Sequence, residues 1–130
     1  MEKENYMHSD LTEKVIKVFY KVYNTLGFGF LEKVYENAMS IELNKAGLQH
    51  YKQQPVKVFY DEKKVGSYYA DIIVEDKVII ELKAAKSLCE EHEAQLINYL
   101  RATEIEVGLL LNFGKEPQIR RKVFSNEFKK

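Results

Sequence analysis

The chain has 130 residues, of which 45% are hydrophobic, and its twenty basic residues balance twenty acidic ones. This balance excludes a strong overall field towards nucleic acid, so any such binding has to depend on local patches. The length predicts one soluble domain over residues 1–130 that folds without disulfides, because the single cysteine, Cys89, cannot form an internal bridge and is expected to be inert. Together with the polar start of the chain, this favours a cytoplasmic protein with no membrane span.

Two amphipathic helices are predicted first along the chain. Over residues 9–27, apolar side chains recur at three- and four-residue spacing, with Ser9 or Asp10 as the cap and Gly27 as the stop. After the "GFGF" hinge, residues 31–47 repeat the pattern up to Gly47. The apolar positions expected to face the core from this second helix are Leu31, Val34, Tyr35, Ala38, Ile41 and Leu43.

Strands are predicted in the second half of the chain. The segments 55–60, 64–74 and 77–82 are rich in β-branched and aromatic residues, and their short connections predict an antiparallel meander. A third helix is predicted over 87–103, followed by a buried strand at 106–113 and a weaker strand at 119–125. Because a helix between two strands makes a crossover, the predicted fold class is α/β, with a mixed sheet flanked by helices.

Charged residues stand at the end of the strand "VIIELK". If the preceding turn centres on Asp76, Asp71 lies opposite Glu81, and the period of two brings both carboxylates to the same face as Lys83. A turn centred between residues 76 and 77 would instead pair Asp71 with Leu82 and scatter the charges. An edge hairpin whose charges simply face water is a further alternative.

The chemistry of the first arrangement is that of a cation site. Two neighbouring carboxylates repel and raise the pKa of one another unless a cation joins them. Mg²⁺ typically binds one or two carboxylates and keeps its other positions for water and substrate phosphate, so Asp71 and Glu81 are predicted metal ligands, with Mn²⁺ as the other candidate metal. Lys83 could then hold or deprotonate a water nucleophile, or stabilise charge on phosphorus, in a phosphodiester hydrolase.

The stretch "ADIIVEDKVIIELKA" resembles the PD-(D/E)xK nuclease motif, with Asp71, Glu81 and Lys83 in the signature places and Ala70 where the motif has proline. "GFLEKVY" is similar to the motif of the bacterial GxxExxY proteins, a branch of that superfamily, and "QLINY" resembles the QxxxY motif of RecB-type nucleases. The resemblance covers about residues 11–124. It implies a restriction-endonuclease-like fold, a Mg²⁺ or Mn²⁺ cofactor and a nucleic-acid substrate, with DNA favoured.

Four further residues gain candidate roles from this resemblance. Glu32 could be a third metal-binding carboxylate, although an acidic residue at a helix start is also favoured by the helix dipole. Tyr35 is either a core residue or a phosphate contact. Gln95 and Tyr99 share a helix face at i and i+4, where they either orient a water or phosphate or form a buried polar tether. His92, on the same helix, is left outside the catalytic set.

Basic residues concentrate near the end of the chain, either as a solvated end or as a phosphate contact. They are Lys115, Arg120, Arg121, Lys122, Lys129 and Lys130. Two classes of function therefore stand at this point. The first is a metal-dependent nuclease, favoured by the acid, acid, lysine set. The second is a non-catalytic nucleic-acid or protein-binding module that retains the fold, favoured by the zero net charge.

Overall fold

The computed structural model describes residues 7–129, which form one five-stranded sheet with helices on both faces. The elements are α1 (Ser9–Leu26), α2 (Glu32–Lys45), β1 (His50–Tyr60), β2 (Lys63–Val74), β3 (Val78–Lys83), α3 (Glu90–Arg101), β4 (Val107–Phe113), β5 (Pro117–Val123) and a 3-10 turn (Asn126–Phe128). Strands lie in the order β1-β2-β3-β4-β5, with β3 and β4 parallel and the other neighbours antiparallel. The predicted order of elements and the mixed sheet are confirmed.

Two apolar cores lie on the two faces of the sheet. On one face, α1 and α2 pack against the even-numbered side chains of β3, such as Ile80 and Leu82, and against the neighbouring strands. On the other face, α3 packs Leu96 and Leu100 against Ile79 and Leu110. Each such buried side chain contributes about 1.5–3 kcal/mol relative to exposure, so both helix layers are firmly held. Across residues 7–129, none of the helices combines the length and apolar character that a membrane span requires.

The turn between β2 and β3 has the register that brings the charged residues together. Ile72 pairs with Ile80 and Val74 with Val78, so the turn centres on Asp76 and the alternative pairing with Leu82 is wrong. Because β3 is the middle strand of the sheet, the edge-hairpin alternative is wrong as well.

The start of α1 differs from the predicted cap. His8, in a left-handed conformation, occupies the cap position, whereas Ser9 and Asp10 already lie in the first turn. An acidic residue there still interacts favourably with the helix dipole, so Asp10 supports the helix start by charge. At the other end, Gly27 stops the helix as predicted, with φ of 69° and its N–H donating to the carbonyl of Tyr23.

The apolar face of α2 is not the predicted one. Tyr35, Met39 and Leu43 form the buried stripe, whereas Leu31, Val34 and Ile41 are exposed. Leu31 precedes the helix in extended backbone, and Val34 and Ile41 lie about 140–160° around the helix from the middle of the stripe, given 3.6 residues per turn. The side of the helix that carries Glu36 is buried instead of the side that carries Val34 and Ile41. The periodicity of the apolar residues alone could not show which of the two sides faces the sheet.

A two-stranded arm extends from the sheet beyond the point where β2 leaves β3. The ladder between β2 and β3 ends at Ile72 and Ile80, but β1 and β2 continue pairing as far as Tyr60 and Lys63. This arm (residues 54–70) closes in a tight turn whose two central residues, Asp61 and Glu62, both have positive φ, as two-residue hairpin turns require. The arm therefore reaches past the end of β3 on the side of α3.

Gly108 in β4 allows α3 to approach the sheet closely. A Cβ atom at this position would lie 2.6 Å from Cδ1 of the buried Leu96. Gly108→Ala is therefore expected to lower the free energy of unfolding by about 1–3 kcal/mol, as overpacked cores do. Urea unfolding measures the loss. Gly66→Ala is the matched control, because the added Cβ would meet its nearest neighbour at 3.8 Å, and equal stabilities of the two variants would contradict the close approach.

Candidate active site

Asp71 and Glu81 are joined by two crossed hydrogen bonds where β2 and β3 separate. The backbone N–H of Asp71 donates to Glu81 Oε2 at 2.9 Å, and the backbone N–H of Leu82 donates to Asp71 Oδ2 at 2.8 Å. Each carboxylate accepts a bond from the opposite strand, where the regular ladder has just ended. The structure thus brings the two predicted carboxylates together and fixes both by backbone contacts.

The carboxylate pair lies largely out of water. Glu81 is only 4% exposed, and burial raises its pKa to about 8, with the nearby charge of Asp71 as the next cause. Burial also raises the pKa of Asp71, with Glu36 and Glu32 adding to the effect. The pKa of both carboxylates is raised, as predicted. Burial contributes more to this increase than the mutual repulsion on which the prediction was based. A pair that resists ionisation in this way suits a divalent cation, which would compensate both charges.

The raised pKa of Glu81 predicts how the stability of the metal-free protein depends on pH. In the unfolded chain Glu81 ionises near the ordinary glutamate pKa of 4.5, and in the folded protein near 8, so between these values the folded state holds more protons. The contribution of Glu81 to the free energy of unfolding is therefore greatest at low pH and is lost as pH rises through this window. Glu81→Gln, which cannot ionise, is expected to gain roughly 2–4 kcal/mol over wild type between pH 5 and pH 8.

This gain is measured by denaturant unfolding at both pH values in the presence of EDTA. Glu13→Gln is the matched control, because Glu13 is exposed on α1 and its substitution should have the same small effect at both values. A difference between wild type and Glu81→Gln that stays constant with pH would show that Glu81 ionises normally in the folded protein.

Lys83, Gln95 and Tyr99 form a hydrogen-bonded chain beside the carboxylates. Lys83 Nζ donates to Gln95 Oε1 at 3.4 Å, and Gln95 Nε2 donates to Tyr99 Oη at 3.0 Å. Lysine can only donate, which fixes the orientation of the Gln95 amide between its two partners. Burial, and then the charge of Glu81, raises the pKa of Tyr99 to about 12, so its hydroxyl keeps its proton at neutral pH. The tether predicted as one alternative for Gln95 and Tyr99 is present, and it restrains Lys83.

Glu32 lies at the start of α2, exposed, and its charge contributes to the raised pKa of both Asp71 and Glu81. Within residues 7–129, however, no three His, Cys, Asp or Glu side chains are close enough to hold one metal ion together. The structure therefore places Glu32 within electrostatic range of the pair, without the contact that a third direct ligand would need.

The comparison with protein families agrees with this arrangement. Residues 9–122 match the PD-(D/E)XK nuclease superfamily. The chain belongs to this superfamily. The fold is also similar to a solved structure described as "Crystal structure of SSO0001", with a TM-score of 0.59 and 19% sequence identity over 95% of this chain. This chain spans 62% of that longer one, and the likeness concerns the fold alone. No curated protein matches the chain.

PD-(D/E)XK nucleases generally use divalent metals. The carboxylates of Asp71 and Glu81, where β2 and β3 separate, fit such an ion. The donor set consists of carboxylate oxygens, which hard cations prefer. The pKa of both carboxylates is raised in the absence of a cation, so a bound cation would relieve an existing electrostatic cost. Asp71 and Glu81 are the residues that would hold it, and two carboxylates are the number that Mg²⁺ commonly uses.

Two site residues were not found from the sequence, Glu36 and Gln53. Glu36 is 4% exposed, pairs with Lys33 at 3.0 Å and accepts a hydrogen bond from Gln53 Nε2 at 2.8 Å. Gln53 also approaches Asp71 Oδ1 at 3.4 Å, so it links Glu36 on α2 to the carboxylate pair. Glu36 stands one helical turn after Glu32, and this spacing was a usable signal. Gln53 gave none, because its position depends on a left-handed backbone with φ of 55°.

Tyr35, a candidate phosphate contact, lies in the core instead of among the carboxylates. Its ring stacks on Phe113 with centroids 4.0 Å apart and is fully buried. Its hydroxyl donates to the carbonyl of Gly27 at 2.7 Å and accepts from the N–H of Phe30 at 3.2 Å. The packing alternative is therefore the one observed, and Tyr35 holds the glycine-rich hinge that precedes Glu32.

The basic residues near the end of the chain are mostly engaged within the molecule. Arg120 and Lys122 both pair with Glu93 on α3, at 3.5 Å and 2.6 Å. The guanidinium of Arg121 donates to the carbonyl of Met7, and Lys129 Nζ donates to two backbone carbonyls, of Thr103 and Ile105. Lys130 lies outside the described residues. These contacts attach the C-terminal segment to the domain and leave the predicted phosphate patch with few available cations.

His92 and Cys89 both contribute to the start of α3. The backbone N–H of Cys89 donates to His92 Nδ1 at 3.3 Å, and the Cys89 side chain caps the backbone N–H of His92 in return. This reciprocal contact is a capping box, in which two helix-start donors are satisfied. The placement is structural and agrees with leaving His92 outside the catalytic set.

Proposed function

We propose that the protein is a metal-dependent nuclease that hydrolyses phosphodiester bonds in DNA with Mg²⁺ or Mn²⁺. The observation that carries the proposal is the hydrogen-bonded pair of Asp71, which is half-buried, and Glu81, which is buried, with Lys83 on the same strand as Glu81, in a member of the PD-(D/E)XK nuclease superfamily. Perturbed carboxylates of this kind concentrate at functional sites, because they lower stability unless a ligand compensates them.

The residues of the candidate active site have distinct roles in this proposal. Asp71 and Glu81 would hold the cation, which when bound would supply Lewis-acid stabilisation of charge on phosphorus. Lys83 uses one of its three protons on Gln95, so two remain to orient the attacking water or a phosphate oxygen. Glu32 and Glu36 add negative charge around the pair and strengthen its attraction for the cation. Gln95 and Tyr99 keep the Lys83 ammonium in place.

The spacing of Gly29, Glu32 and Tyr35 supports assignment to the GxxExxY branch. Gly29 has φ of 113°, which favours glycine, and the hydroxyl of Tyr35 binds the adjacent backbone of Phe30. These contacts set the point at which α2 begins and hence where Glu32 lies. The single cysteine supports a cytoplasmic location for the protein.

The proposal is tested by incubating the purified 130-residue chain with single- and double-stranded DNA in Mg²⁺, Mn²⁺ or EDTA. We expect cleavage with either metal and none in EDTA. Glu81→Gln purified in the same way controls for contaminating nucleases. If calorimetry shows metal binding and no DNA is cleaved, the second function, a binding module, is favoured.

A further inference from the structure

A groove of about 960 Å³ lies between the arm and α3, immediately beside the hydrogen-bonded chain that holds Lys83. The arm contributes Lys57, Phe59 and Tyr68, and α3 contributes Gln95, Asn98 and Tyr99, with further lining residues from the C-terminal segment. Its volume is at the upper end of the range for ligand sites. Because Gln95 and Tyr99 belong both to the groove and to the Lys83 chain, the groove leads into the candidate active site.

The arm presents aromatic rings to this groove that the fold does not need for its core. Tyr68 is 51% exposed, and its ring centroid lies 5.8 Å from that of Tyr99. Phe59, further along the arm, is also exposed. Large exposed aromatic side chains that line a concave surface mark binding sites, and nucleobases stack on such rings with little dependence on sequence.

The charges of the groove suit a phosphate backbone. Lys57, Arg101 and Lys129 line it together with one acidic residue, Glu91. Lys129 is already engaged by backbone carbonyls, so Lys57 and Arg101 are the exposed cations that remain. Two cations and two aromatic rings along one groove provide contacts for the phosphates and the bases of the same strand.

We propose that this groove binds a single strand of nucleic acid, with bases stacked on Tyr68 and Phe59, and delivers the adjacent phosphodiester to the Asp71 and Glu81 pair. This inference rests on the proposed nuclease function and narrows its substrate. A base face is free to stack on a side chain when the strand is unpaired, whereas in a duplex it is covered by its neighbours.

The test measures binding separately from cleavage. Fluorescence anisotropy is recorded with the 130-residue Glu81→Gln variant and labelled oligonucleotides of about 12 nucleotides, as single-stranded DNA, single-stranded RNA and the matched DNA duplex. Tyr68→Ala is expected to raise the Kd for both single strands roughly 5- to 100-fold, the usual effect of losing one stacking platform. The duplex should bind more weakly than either single strand and should respond less to this substitution.

Neighbouring residues on the same arm provide matched controls. Tyr69 is 57% exposed and does not line the groove. Tyr69→Ala should therefore change the Kd by less than about twofold. Lys57→Ala should lower the slope of log Kd against log salt concentration by about 0.7, the contribution of one phosphate contact on a single strand. Lys77→Ala, in the exposed turn between β2 and β3 and outside the groove, should leave the slope unchanged.

The inference is overturned if the duplex binds as tightly as the single strands, or if Tyr68→Ala and Tyr69→Ala have equal effects. Cleavage by the wild-type protein is assayed independently with Mg²⁺. If the wild-type protein cleaves DNA but Tyr68→Ala and Tyr69→Ala change the Kd equally, the groove is not the binding site, although the nuclease function is supported. Binding that follows the expected pattern without any cleavage supports the groove and rejects the nuclease function.

Discussion

Replacing Glu81 with glutamine is expected to abolish metal-dependent DNA cleavage together with most of the affinity for Mg²⁺. Glutamine keeps the size of the side chain and an oxygen that can accept the hydrogen bond from the Asp71 backbone, but it removes one of the two negative charges facing the cation. Asp71→Asn should behave in the same way, since Asp71 supplies the other charge. Because both variants preserve the shape of the site, the loss is expected to be chemical, with the fold intact.

Single-turnover cleavage and calorimetric metal titration measure the two losses side by side. Glu13→Gln, on the exposed side of α1, should retain wild-type cleavage and metal binding. Cleavage that survives in Glu81→Gln would mean that a contaminating nuclease or another site is responsible, and full metal affinity in both variants would place the cation elsewhere.

Lys83→Ala is expected to lower the single-turnover cleavage rate by about 10²–10⁴, the usual scale for a positioned acid or base group, while metal binding persists. Both carboxylates remain in place in this variant, so the cation should bind with nearly unchanged affinity. DNA affinity should also change little, because Lys83 is most important as charge develops in the transition state.

Lys77→Ala is the matched control for this prediction, because Lys77 lies exposed in the turn that precedes the same strand. It should cleave at the wild-type rate. Equal rates for wild type and Lys83→Ala would exclude a chemical role for Lys83. Parallel loss of metal affinity and cleavage in Lys83→Ala would instead indicate that the lysine serves to hold the carboxylates in place.

The sequence predicted the relation between β2 and β3 because that relation depends on local rules. The tight turn at Asp76 and the period of two in a strand together determine which side chains face each other, and the observed pairs of Ile72 with Ile80 and Val74 with Val78 follow from them. The position of Glu81 beside Asp71 therefore did not require knowledge of the rest of the fold.

Other parts of the site could not be predicted because they depend on contacts between distant elements. Tyr35 is held in the core by Phe113, which is far away in the sequence and stacks on its ring. Gln53 reaches Glu36 and Asp71 only because its own backbone is left-handed, a conformation that glutamine rarely adopts and that nothing in the neighbouring residues indicates. The covered flank of α2 likewise depends on how the helix docks on the sheet.

The crossed bonds of Asp71 and Glu81 limit which residues evolution can place at these two positions. Each side chain satisfies a backbone N–H between two strands, so an apolar replacement would leave a donor without an acceptor at a cost of about 1–3 kcal/mol. Under the proposed function, a descendant that no longer cleaved DNA would thus still need an oxygen at both sites, most simply as asparagine and glutamine. A change from acid to amide at these positions would therefore remove the negative charge while keeping the hydrogen bonds that stabilise the fold.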